Sequence, residues 1–174
     1  MYAVVRTDKM YGTDNRAGMV SVRYQPSGTM TAIDNGNVVK LDGLESHTAS
    51  GATVIDSREV FKGATPAASD ALKDIVLIAT PEVVYESGKR ALDDFTNKAG
   101  EIARGYRLHQ GDIFSVTKDA LDGVATPDIG NVVELKAGTK LNVAASATSG
   151  STVVGKIIDI NVVGRFTFYA IMVD

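Results

Sequence analysis

Cysteine is absent from these 174 residues, histidine occurs twice and proline four times. Without a thiol the chain has no disulfide scaffold, no cysteine nucleophile, no iron–sulfur cluster and no thiolate-held zinc. The two histidines, His47 and His109, each stand beside turn residues. No i, i+4 spacing and no H-E-x-x-H joins them, so they read as loop residues rather than as a metal pair. A basic excess is also missing: 18 Lys and Arg against 21 Asp and Glu leave a net charge of −3, which speaks against bulk binding of nucleic acid. Long hydrophobic runs are lacking as well. The apolar start at Met1 meets Arg6, Asp8 and Lys9 within a few residues, so neither a secretory signal nor a membrane span is expected.

What is present suffices for a core, since hydrophobic residues make up 44% of the chain. A domain of roughly 150 residues buries about 68–70% of the surface its unfolded chain exposes, and needs no staple. The pattern predicts a mainly β fold, a small β-barrel or sandwich with an extended N-terminal arm and one or two short helices. Residues 1–33 are read as the arm, because Gly12, Asn15, Gly18, Gln25, Pro26, Ser27 and Gly28 interrupt every apolar stretch; only Met19 to Tyr24 looks like a strand. Residues 34–174 are read as the β-rich body.

Within that body Asp34-Asn35-Gly36-Asn37 signals a turn before Val38 to Leu41. Ile75-Val76-Leu77-Ile78 is apolar on both faces, as in a buried central strand. Ser87 to Ala99 is the helix candidate, with Ser87 as its cap and Ala91, Leu92, Phe95 and Ala99 at helical spacing. Val133 and Leu135 share one strand face and Leu141, Val143 and Ala145 another, across a turn at Ala137-Gly138. Ile158, Ile160 and Val162 alternate with Asp159 and Asn161, and Phe166, Phe168, Ala170 and Met172 alternate after them. Gly36-Asn37-Val38-Val39-Lys40-Leu41 echoes Gly130-Asn131-Val132-Val133-Glu134-Leu135, with Gly111-Asp112-Ile113-Phe114 as a looser relative. A turn glycine, a polar residue and a β-branched pair is a common way for strands to begin.

Chemical motifs are weak. Gly150-Ser151-Thr152-Val153-Val154-Gly155-Lys156 fits the first part of a phosphate-binding loop. Ile157 stands where Ser or Thr should ligate magnesium, and an alternating β pattern follows instead of a helix. Asp93-Asp94 and Asp119/Asp122 read as solvated faces or turns rather than as a shared proton site or a calcium loop. No cofactor, metal or catalytic residue is assigned. Lys89, Arg90, Arg104 and Arg107 cluster in sequence with Tyr106 between the last two; they read first as scattered strand-surface charges and otherwise as an Arg–Tyr interleaving that, in an acidic chain, suits a protein interface.

Several segments together carry a resemblance: the Tyr-bearing N-terminal arm, Ile33 to Leu44, Ala99 to Val116, the Gly130-to-Lys140 hairpin and the ending Gly164-Arg165-Phe166-Thr167-Phe168-Tyr169. They are similar to the small virion proteins of tailed bacteriophages known as decoration, cement or head auxiliary proteins. The resemblance implies a non-enzymatic structural protein on the outer capsid surface, made in the host cytoplasm and bound to the major capsid protein. It also implies a homo-oligomer, with a trimer favoured, and no direct contact with nucleic acid or membrane. The expected interface residues are Tyr2, Val20, Val22 and Tyr24 of the arm, with Arg104, Tyr106 and Arg107. A tail, connector or head-fibre component remains an alternative, as does a small β-fold hydrolase or carbohydrate-binding domain.

Overall fold

The computed structural model describes residues 1–49, 52–55, 59–84, 88 and 91–174. Among them the chain forms β1 (Val5–Lys9), β2 (Met19–Tyr24), β3 (Val38–Leu44), β4 (Ser46–Ala49), β5 (Ala52–Ile55), β6 (Val60–Ala64), β7 (Ile75–Ile78), β8 (Ala103–Arg107), β9 (Ile113–Thr117), β10 (Leu121–Gly123), β11 (Val132–Glu134), β12 (Leu141–Ala144), β13 (Val153–Val163) and β14 (Phe166–Val173). One helix, α1 (Tyr11–Asp14), and five 3-10 turns accompany them. The fold is mainly β, as expected. Strands β2-β6-β3-β7-β8 close into a barrel, β1-β9-β14-β13-β11-β12-β10 form a seven-stranded sheet, and β4-β5 pair as a separate hairpin.

Side chains alternate across a strand, so each barrel strand offers one row inward and one outward. Val22, Tyr24, Ile33, Val39, Val76, Ile78 and Ala103 cluster in the barrel. Ile75 and Leu77, on the opposite face of β7, join Val38, Phe114, Val116, Ile157 and Ile171 between the barrel wall and the larger sheet. That is why Ile75-Val76-Leu77-Ile78 is apolar throughout: all four residues are fully buried. Burial of each is worth about 1.5–3 kcal/mol. The barrel is narrow at Gly105, where a Cβ would stand only 3.0 Å from Val76 Cγ2 and 3.1 Å from Val20 Cγ2.

The three related sequence segments share one piece of backbone geometry. The Gly36 amide donates to the Ile78 carbonyl at 2.7 Å and the Ile78 amide to the Asn37 carbonyl at 2.8 Å. Gly130 and Asn131 make the same exchange with Ile157 at 2.8 and 3.0 Å, and Gly111 and Asp112 with Val173 at 2.9 and 2.9 Å. Each glycine has φ between 80° and 88°, a region that residues with a Cβ rarely occupy. The recurring glycine and polar residue thus turn the chain into β3, β11 and β9 and fix each against a neighbouring strand.

Two expectations are corrected. Residues 1–33 are not an arm apart from the body. Strand β2 is a barrel stave, antiparallel to β8 and parallel to β6, β1 pairs with β9, and Ala3, Val4, Val5 and Met10 are buried. The polar and glycine interruptions separate short strands whose partners lie far along the chain, so the apolar residues look isolated only in one dimension. The helix expected over Ser87 to Ala99 is also absent from its described part, where Leu92–Asp94 makes a single 3-10 turn and Asn97 bridges Ile33. Asp94 Oδ2 accepts from the Ala91 amide at 3.0 Å and Asn97 Nδ2 donates to the Ile33 carbonyl at 3.0 Å. Such side-chain bonds to backbone compete with a helix. Ser87, Lys89 and Arg90 lie outside the described residues.

Candidate docking surfaces

An open groove of about 610 Å³ runs along β2 and β8. Met19, Val20, Phe61 and Ile102 give it an apolar floor, and Arg16, Arg104 and Glu59 supply charge. The register explains the convergence: Ser21 faces Arg104 across the β2–β8 ladder and Val60 across the β2–β6 ladder. Arg16 and Arg104 are exposed, and so is Ile102, at 48%. A smaller hollow of about 150 Å³ shares Thr80, Pro81 and Arg104 and extends toward Val5 and Thr7.

Of the seven expected interface residues, two therefore meet in the groove: Val20, half-buried, and Arg104. Three others are corrected to parts of the core. Val22, Tyr24 and Tyr106 are 0%, 8% and 6% exposed, because β2 and β8 are adjacent barrel staves and these side chains fill the two sides of the barrel wall. The Tyr24 hydroxyl meets Thr65 Oγ1 at 2.7 Å. Arg107 is half-buried, stacked over the Phe61 ring at 5.8 Å and donating to the Lys73 carbonyl at 3.4 Å. Tyr2 is exposed elsewhere, where its amide donates to the Asp93 carbonyl at 3.0 Å.

A second surface is the outer end of the β13–β14 hairpin. The larger sheet holds β13 against β11 only over Val153–Lys156 and β14 against β9 only over Phe168–Met172. The β13–β14 ladder continues to Val163 and Phe166. Beyond Asn161, where β9 also ends, the pair is a short two-stranded ribbon on which Val162 is 68% exposed and Val163 47%; before it, on the edge of β13 that β11 has left, Ile158 is 38% exposed. At its tip Arg165 lies 4.9 Å over the Phe166 ring and pairs with Asp93.

The remaining titratable motifs hold structure. His109 packs against Tyr11 with centroids 4.5 Å apart and the rings tilted by 48°, and Asp112 accepts from the Tyr11 and His109 amides at 2.8 and 2.9 Å. Asp93 is buried rather than solvated, drawn in by Arg165. A hydrogen bond from Lys136 at 2.9 Å holds the Asp122 carboxyl below its ordinary range. Among the described residues no three His, Cys, Asp or Glu side chains are grouped to hold a metal ion, and no helix is long and apolar enough to cross a membrane. Gly155, in the phosphate-loop-like stretch, sits inside β13, where a Cβ would overlap the Met172 carbonyl oxygen. Its role is close strand pairing.

Sequence reasoning missed Arg16 and Ile102, which reach the groove only through barrel closure, and the ribbon. The available signal for the ribbon was the eleven-residue length of the β13 pattern against five or fewer in β9 and β11. No family model, curated protein or solved structure matches the chain.

Proposed function

We propose that this chain is a capsid decoration protein of a tailed bacteriophage, binding the outer surface of the major capsid protein shell and stiffening it. The sequence resemblance supplies the class of partner. The observation that carries the mechanical reading is the placement of two unpartnered contact surfaces on separate sheets of one packed body, the Arg16/Arg104 groove on the barrel and the apolar ribbon on the larger sheet. A protein that resists separation of its partners needs at least two contacts joined by a stiff core. The shared cluster between barrel and sheet supplies that stiffness. In a homo-oligomer several individually weak contacts act together, since after the first contact each later one forms at high effective concentration.

The test is addition of the purified protein to undecorated expanded capsids of the virus that encodes it. Saturable binding and a higher disruption temperature are expected, with label on the head and none on the tail. Absence of binding to every capsid form overturns the proposal, and label along the tail alone replaces it with a tail component.

A further inference from the structure

We infer that the free edge of β13, residues 158–163, pairs with the same edge of a second copy of this chain to form a two-fold dimer.

An antiparallel strand sends alternate backbone N–H and C=O groups to each side. On one side β13 bonds to β14 through to Val163. On the other, β11 leaves it at Lys156, and the Gly130 and Asn131 backbone at Ile157 makes the last bonds. Among the described residues no further backbone bond reaches residues 158–163 outside the β14 ladder. Past the register shift between Ile157 and Asp159, the edge therefore offers the outward-facing N–H and C=O groups of alternate residues up to Val163, beside exposed Ile158, Val162 and Val163 and a single charge, Asp159. Exposed apolar edges of this kind template the addition of a strand. By contrast β1, an outer strand of the same sheet, carries Arg6, Asp8 and Lys9 in five residues, the usual protection against such pairing.

The occupant follows from self-complementarity. Antiparallel pairing centred on Asn161 sets Ile160 opposite Val162 of the second copy, and Val162 opposite Ile160. Asp159 falls opposite Val163, next to the hairpin turn that carries Arg165. No charge faces its like. Arg165 keeps Asp93 while its remaining N–H groups stay available, since a guanidinium has five. Val162, at 68% the most exposed large hydrophobic residue after Met1 among the described residues, is covered, and Ile160 already leans on the core. The relation is isologous and closes at two copies, unlike the threefold assembly implied by the resemblance. Six residues a side bury less than the roughly 1,200 Å² of a tight complex, so the dimer forms at high protein concentration. The inference does not depend on the capsid reading.

Sedimentation velocity from low micromolar to millimolar protein is the experiment, with hydrogen exchange of the 158–163 amides followed across the same range. The expected result is a concentration-dependent species of twice the 18.3 kDa chain mass, with amides in 158–163 protected as it forms. Val162→Lys and Asp159→Lys both alter exposed side chains, and each is expected to raise the dissociation constant about tenfold or more, because the two-fold axis enters every substitution twice. Unfolding curves of both variants check that the fold persists. A wild type that stays monomeric at millimolar concentration overturns the inference. So does an assembly, dimeric or trimeric, that both folded variants form as well as wild type.

Discussion

Glu134 takes both hydrogens that Thr148 can give it: the Thr148 amide donates to Oε2 at 2.8 Å and the hydroxyl to Oε1 at 2.6 Å. Asn142 Nδ2 adds a third bond at 2.8 Å, and Glu134 itself is 1% exposed. A carboxylate so placed ties the loop after β12 to β11. Glutamine keeps the shape but turns an acceptor into a donor facing the Thr148 amide. Glu134→Gln is expected to cost about 2–3 kcal/mol, the range for charged hydrogen bonds and for a buried group left unpaired. Thermal unfolding reads this as about 2–4 °C per kcal/mol in a chain of this size.

The same contact predicts an acid limb. Burial pushes the Glu134 carboxyl up, but the Thr148 hydroxyl and amide and the Asn142 amide outweigh it and hold the pKa below its ordinary value of 4.5. A carboxyl lower in the folded than in the unfolded chain adds stability that is complete above the unfolded value and is lost as pH falls through the folded one. Wild type is therefore expected to lose stability below about pH 4.5 more steeply than Glu134→Gln, with denaturant midpoints measured between neutral pH and pH 3 as the check. Parallel curves would show that Glu134 is not held as its contacts indicate.

Two arginine and lysine pairs separate burial from proximity. Arg165 pairs with Asp93, whose side chain is 3% exposed, whereas Lys136 and Asp122 are 40% and 42% exposed. Loss of a partner strands a buried charge in the first case and a solvated one in the second. Arg165→Ala is expected to destabilise by about 1–3 kcal/mol, discounted because Arg165 itself is half in water. Lys136→Ala should fall within about 1 kcal/mol and shrink further in salt. Urea unfolding at two ionic strengths distinguishes them.

Deletion of residues 1–24 tests how the chain divides. An arm would leave a folded body. The pairing of β2 with both β6 and β8 and the burial of Val22 predict instead that the barrel opens and the cooperative thermal transition is lost, measured by circular dichroism and near-ultraviolet absorption of the tyrosines.

Which parts of this fold were legible in the chain depends on how far each signal reaches. Ile75 to Ile78, and the Val133 and Val143 faces that pair directly, declare themselves because adjacent residues carry the period. Residues 19–24 carry the same period, yet the stave that completes them, β8, begins at Ala103, and no local pattern announces a partner so distant. Over 91–99 the helical spacing gave way to the local bond of Asp94 to the Ala91 amide and to the long-range pairing of Asn97 with Ile33. Arg104 was chosen by its type, and it lies exposed in the groove. Its neighbours Val20 and Arg16 were brought to it by barrel closure, while Tyr106, chosen on the same grounds and on the same face of β8, is covered by the cluster between the barrel and the larger sheet.

The groove supplies the prediction closest to function. Arg16 and Arg104 stand exposed beside the apolar floor of Met19, Val20 and Ile102, in a chain whose net charge is −3. A partner segment that fits them brings carboxylates at its margins and an apolar centre. Such rim charges act mainly on association, so Arg16→Glu and Arg104→Glu should each slow binding to expanded capsids and flatten its dependence on salt. Ile102→Ser should instead speed dissociation, because it removes apolar contact from the centre. All three positions are exposed, and their effects on unfolding should stay within about 0.5 kcal/mol. Binding traces at low and moderate salt, read beside unfolding curves, assign the groove to the capsid if the charge variants change the association rate alone; unchanged binding in all three moves the contact to another face.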